Sequence, residues 1–108
     1  MSEAGIVTVY AVFADADEAS RIARILVEER LAACANLLGP CRSIYRWQGV
    51  IEEAEEAPVL FKTGADRADQ LIARIAELHS YDVPAAVAWP VAAMHAPYSE
   101  WVKAETGG

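Results

Sequence analysis

Few residues in this chain have the types and spacing that chemistry needs. Both cysteines fall in the stretch "LAACANLLGPC", as Cys34 and Cys41 with six residues between them. A disulfide would need the two Cα atoms within about 7 Å and an oxidising compartment. Zinc frameworks favour cysteine pairs separated by two to four residues. Two thiolates suit Cu(I), because a soft sulfur ligand matches a soft ion. That site would need Cys34 and Cys41 to face one another, within one chain or across two. The plainer alternative for Cys34 is a small buried side chain, a common use of cysteine.

The other candidates carry similar alternatives. His79 closes a helical pattern, so it is either a helix C-cap or a cleft residue and metal ligand. His95 follows Met94, a pair able to hold copper but equally at home in a solvated loop. Glu52, Glu53, Glu55 and Glu56 would attract hard cations only if their oxygens converged, and neighbouring strand residues diverge. They read instead as a charged hairpin edge, with Glu56 set apart because it shares strand parity with Lys62. Tyr45, Trp47, Tyr81, Tyr98 and Trp101 are either packing residues or a wall for a planar ligand. No nucleophile sits beside a base, and no phosphate loop or dinucleotide fingerprint is present, so the chain does not read as an enzyme.

Those residues need a scaffold, and 108 residues fit one domain with a modest core. A hydrophobic content of 55% is high for such a domain and suggests that some apolar surface is hidden in an oligomer. The net charge of −7 and the dispersed Arg and Lys argue against nucleic acid and against an anionic membrane surface. The start, Met-Ser-Glu-Ala-Gly, does not resemble a signal peptide, and no stretch reaches the roughly 18 apolar residues of a membrane span. The expectation is a cytoplasmic protein with reduced thiols, flexible over residues 1–5.

"IVTVYAVFA" predicts a strand apolar on both faces, with Val7, Val9, Ala11 and Phe13 on one and Ile6, Thr8, Tyr10 and Val12 on the other. Asp15 or Asp17 caps a helix striped by Ala19, Ile22, Ala23, Leu26 and Val27, with Glu18, Arg21, Arg24 and Glu28 on the wet side. Residues 33–48 read as extended, bent at Gly39-Pro40 and closed by a Gln48-Gly49 turn. A returning strand follows, which Pro58 should push to an edge or an irregular position. Ala68, Leu71, Ile72, Ile75 and Leu78 stripe a second helix, "VPAAVAWPV" reads as a core strand, and "APYSEWVKAE" as a short tail helix. The order β-α-β-β-α-β predicts an α+β, ferredoxin-like sandwich with helices on one face of an antiparallel sheet. The opposite face, apolar but without a helix, would be covered by further copies of the chain.

The segments "ERLAACANLL", "SIYRWQG", Glu56 followed by Lys62-Thr63, "ELHSYDVP", and Tyr98 with Trp101 occur in one order over residues 6–103. Together they resemble the CutA family of divalent-cation tolerance proteins. The resemblance implies a homotrimer whose sheets pack about a threefold axis, no established catalysis, and a role in tolerance of copper and other divalent cations. It carries Cys34 and His79 as metal ligands, and Trp47, Glu56, Lys62, His79 and Tyr81 as cleft residues, with no obligatory cofactor. A second reading is a regulatory module, similar to PII signalling trimers, that binds a small organic or anionic ligand between subunits. The chain departs from the family pattern at Ser80, where proline is usual, and at Trp89, Cys41 and Pro58.

Overall fold

The computed structural model describes residues 5–107. Five strands and three helices follow in the order β1 (Ile6–Phe13), α1 (Ala16–Glu28), β2 (Cys34–Leu37), β3 (Cys41–Trp47), β4 (Val50–Gly64), α2 (Ala68–Leu78), β5 (Ala86–Pro90) and α3 (Ala96–Gly107), with a 3₁₀ turn at Ala65–Arg67. All strand pairs are antiparallel, in the order β2-β4-β1-β5, and β3 continues along β4 beyond β2. Each βαβ unit is split by a strand of the other. This is the expected mixed α+β order, with its second strand divided into β2 and β3.

Side-chain period explains the layers. Val9, Ala11 and Phe13 of β1 join Val59 and Phe61 of β4 under Ile22, Ala23 and Leu26 of α1 and Leu71 and Ile75 of α2. Each large aliphatic or aromatic side chain buried there contributes about 1.5–3 kcal/mol. Asp15 caps α1 by accepting the Glu18 N–H at 2.8 Å, and Glu18 Oε1 reaches back to the Ala14 N–H at 3.0 Å. That reciprocal arrangement satisfies donors a helix start leaves open. It also corrects the assignment of Glu18 to the wet side, because the residue is buried.

Pro58 corrects a second expectation. It lies inside β4, opposite Val12 of β1, and the strand runs through it unbroken. Its carbonyl accepts the Leu38 N–H at 3.0 Å, so its missing donor points to the same side. There β2 has ended at Leu37 and β3 has not begun, and the gap holds Gly39 and Pro40. The irregularity is taken by the neighbouring strand, where no ladder bond is lost.

The second sheet face has a helix after all. Val102 of α3 packs on Ile6 and Ala33, with Val91 and Met94 beside them. The helix covers only one end. Val87 and Trp89, opposite Tyr10 and Thr8 on the edge strand β5, remain exposed, so β5 is an edge rather than a core strand within one chain. The Gln48-Gly49 turn is as expected: φ values of 51° and 82° put both residues in the left-handed region that joins two strands tightly. The expected flexible start lies, for residues 1–4, outside the described residues. Gly5 is held, its carbonyl accepting the Ala65 N–H at 2.8 Å.

Candidate functional site

The β3–β4 hairpin projects past the main sheet and faces the loop between α2 and β5. Between them lies a cleft of about 690 Å³, floored by Tyr10 and Val12 and walled by Tyr45, Trp47, Glu52, Glu56 and Tyr81. Register explains the hairpin's share. Cys41, Ser43, Tyr45 and Trp47 oppose Glu56, Ala54, Glu52 and Val50, so alternate residues of both strands look the same way. Glu53 and Glu55 leave that set, and Glu53 pairs with exposed Arg42 at 2.6 Å. The acidic run is therefore split between a cleft pair and a solvated edge.

The opposite wall is fixed by His79. As the C-cap of α2, its backbone N–H bonds the Ile75 carbonyl at 2.9 Å. Its ring does not cap the helix. Nδ1 accepts the Tyr81 N–H at 3.1 Å, which leaves Nε2 to donate to the Val12 carbonyl at 2.7 Å. The ring lies between Phe13 and Tyr81, with centroids 4.9 and 4.7 Å away. Beside it Ser80 donates its N–H to Glu18 Oε2 at 3.0 Å. A proline at this position would have no N–H to offer.

Tyr81 then crosses the end of β1, and its hydroxyl donates to Glu56 Oε2 at 2.9 Å. Burial, followed by that hydrogen bond and the Glu56 charge, pushes the Tyr81 phenol up to about 12. Burial first, then Cys41 and Glu56, also raises Tyr10, and burial followed by Glu52 and Glu56 raises Tyr45. All three phenols are neutral at physiological pH and present O–H donors.

Cys34 is elsewhere. It pairs with Lys62 across β2 and β4, and its Sγ lies 3.2 Å from the Tyr98 hydroxyl. Tyr98 in turn stacks on Trp101, the three-residue spacing expected of one helix face. Cys41 opposes Glu56, six positions along β4 from Lys62, which is about 20 Å of strand. The two thiols cannot meet within one chain.

A family model, "CutA1 divalent ion tolerance protein", matches residues 7–105. The chain belongs to the CutA family. It is 42% identical over 108 residues to the divalent-cation tolerance protein CutA of Thermus thermophilus, covering 99% of this chain and 100% of that one. Its structure is similar to that of CutA from Xylella fastidiosa, with TM-score 0.91, 37% identity, and 94% and 98% of the two chains covered. It is also similar to a structure from Archaeoglobus fulgidus named a periplasmic divalent cation tolerance protein CutA, with TM-score 0.90, 30% identity, and 94% and 98% covered.

For a CutA chain the distribution of metal donors is informative. Cys34 is level with Lys62 and, across it, with Thr8, whereas His79 is bonded at Val12, four residues further along β1, or about 13 Å. Both His79 ring nitrogens are engaged by the backbone. Cys34 and His79 thus do not meet within one chain, where both lone-pair positions of the His79 ring are already used in hydrogen bonds. Among the described residues no group of three or more His, Cys, Asp or Glu side chains is placed to hold a metal ion. His95 is exposed, and its carbonyl starts α3 by accepting the Tyr98 and Ser99 N–H groups.

Of the expected cleft residues, Trp47, Glu56 and Tyr81 line the cavity and His79 supports it from behind. Lys62 does not: its Nζ bonds Asn36 at 3.2 Å, far along β4 from Glu56. Sequence reasoning missed Glu18 and Tyr10. The Asp15–Glu18 spacing is that of a capping box and was the available signal for Glu18. Tyr10 carried none, because the hairpin that meets it lies more than thirty residues away in sequence.

Proposed function

We propose that this CutA protein acts in tolerance of metal ions by binding rather than catalysis, as a cytosolic homotrimer that takes copper through Cys34. Family membership supports the tolerance role. The observation that carries the copper assignment is the setting of Cys34. Cys34 is half-buried on the second sheet face, and its side-chain partner there is a neutral phenol, which a soft cation displaces without separating an ion pair. A single thiolate is a poor copper site, so further ligands come from other copies of the chain. Val87, Trp89 and Tyr10, apolar or aromatic on that same face, support assembly. The separation of Cys34 from Cys41 keeps both as thiols within a chain, which suits a reducing compartment. Among the described residues no helix is long and apolar enough to cross a membrane.

The test is growth under copper load in cells whose own copy is removed. The parent chain restores growth and Cys34→Ser does not. Equal rescue by both would overturn the assignment.

A further inference from the structure

His79 makes two backbone contacts that only its neutral ring can make together. The residue is 8% exposed, and its ring lies between Phe13 and Tyr81. Nε2 donates to the Val12 carbonyl at 2.7 Å, and Nδ1 accepts the Tyr81 N–H at 3.1 Å. A neutral imidazole supplies one donor and one acceptor, which matches that pair, whereas an imidazolium is a donor at both nitrogens. A proton at Nδ1 would face the Tyr81 N–H, donor against donor. These contacts all lie within one chain and do not depend on what covers the sheet.

Few charged groups face the ring. β1 offers it Val12 and Phe13, which carry none. α1 brings Glu18, whose two oxygens accept the Ala14 and Ser80 N–H groups. Burial opposes its ionisation, but hydrogen bonds from Ser80 and Ala14, and last the His79 charge, hold its carboxyl below the usual range. Glu56 of β4 lies beyond Tyr81, bonded to its hydroxyl. On α2 itself Glu77 is exposed and turned to Arg74 at 3.9 Å, and Asp82 of the loop lines the cleft. Glu18 is thus the counter-charge that makes a charged His79 attainable at this buried position.

We propose that His79 is an acid-sensitive latch: a proton taken up at Nδ1 frees the Tyr81 backbone, and the α2–β5 loop then loses its hold on Glu56 of the β3–β4 hairpin. Histidine is the side chain whose charge changes between about pH 5 and 8. The Val12 contact survives the change, because Nε2 donates in both states. The bond from Ser80 to Glu18 also survives, since the charged ring leaves that carboxylate ionised. The change therefore falls on Tyr81, and the release is local. The latch makes no use of Cys34 and stands independently of copper binding. The chain has two histidines, and the other, His95, is exposed.

The experiment is amide hydrogen exchange of the full chain, read by nuclear magnetic resonance at about pH 7.5 and about pH 5.5, each rate divided by its free-chain value at the same pH. Protection of the Tyr81 amide falls about tenfold or more on acidification, while that of Ile22 in the core of α1 stays level. The ring signal of His79 shifts over the same interval. His79→Asn keeps an acceptor near the Nδ1 position and takes up no proton, so its Tyr81 protection no longer depends on pH. His95→Gln behaves as the parent. Should His79→Asn not fold, the two ring signals of the parent decide, because the loss must follow His79 and not His95. Level protection of Tyr81, an equal loss at Ile22, a loss that persists in His79→Asn, or one that follows the His95 ring would overturn the proposal.

Discussion

Tyr81 and Glu56 meet across the end of β1, a loop hydroxyl donating to a buried strand carboxylate at 2.9 Å. The contact joins two parts of the molecule separated by 25 residues, and it is held from behind. His79 fixes the Tyr81 backbone through Nδ1 and is itself fixed to Val12. The chain of contacts from Val12 through His79 and Tyr81 to Glu56 ties the α2–β5 loop to the hairpin.

Removing the hydroxyl with Tyr81→Phe leaves a buried carboxylate oxygen without its donor. Hydrogen bonds to charged groups contribute about 1.5–3 kcal/mol, and the half-buried position of Tyr81 reduces that. A loss of about 1–2 kcal/mol is expected, read as a lower urea midpoint at unchanged slope. An unchanged midpoint would show that the contact does not hold the loop.

Alkaline titration tests the same group. The Tyr81 phenol lies at about 12 in the folded chain against a usual value near 10, so its neutral form is favoured by folding. That stabilisation is complete below pH 10 and is lost as pH rises through 12. Tyr98, raised to about 12 by burial and then by Cys34, adds to the same window. The urea midpoint should stay level up to pH 10 and fall between 10 and 12, less steeply in Tyr81→Phe. A level profile across that window would contradict the geometry.

Much of the fold was legible because it rests on local period: β1, the stripes of α1 and α2, and the Gln48-Gly49 turn all read directly. What escaped depends on partners distant in sequence. Whether Pro58 disrupts β4 is decided by which way its nitrogen faces and by the gap in the strand beside it. Glu18 shows a capping spacing, but the Ser80 N–H that helps to bury it lies 62 residues on. Glu56 and Lys62 share strand parity, and parity gives the face of a strand, not the distance along it. His79 was placed correctly at the helix end, while its ring answered to Val12, far back in the chain. Trp47, Glu56 and Tyr81 were found as types and neighbours.

Assembly has a direct test in the two faces of the sheet. Val9 is fully buried under the helices, so Val9→Asp places a charge in the core and unfolds the chain rather than merely dissociating it. Trp89, 44% exposed on the β5 edge, is different. Trp89→Glu is expected to keep its circular dichroism spectrum while sedimenting as a monomer, whereas the parent sediments as a trimer. A monomeric parent, or a trimeric Trp89→Glu, would contradict the proposed interface.

Copper at Cys34 is tested most directly by a Cu(I) competition titration against a chromophoric chelator under reducing conditions, comparing the parent with Cys34→Ser, Cys41→Ser and His79→Gln. The account predicts that Cys34→Ser abolishes binding and that the other two variants retain it, because Cys41 lies about 20 Å along the strand and both His79 nitrogens are already bonded. Binding retained by Cys34→Ser, or abolished by His79→Gln in a protein that remains folded, would contradict it.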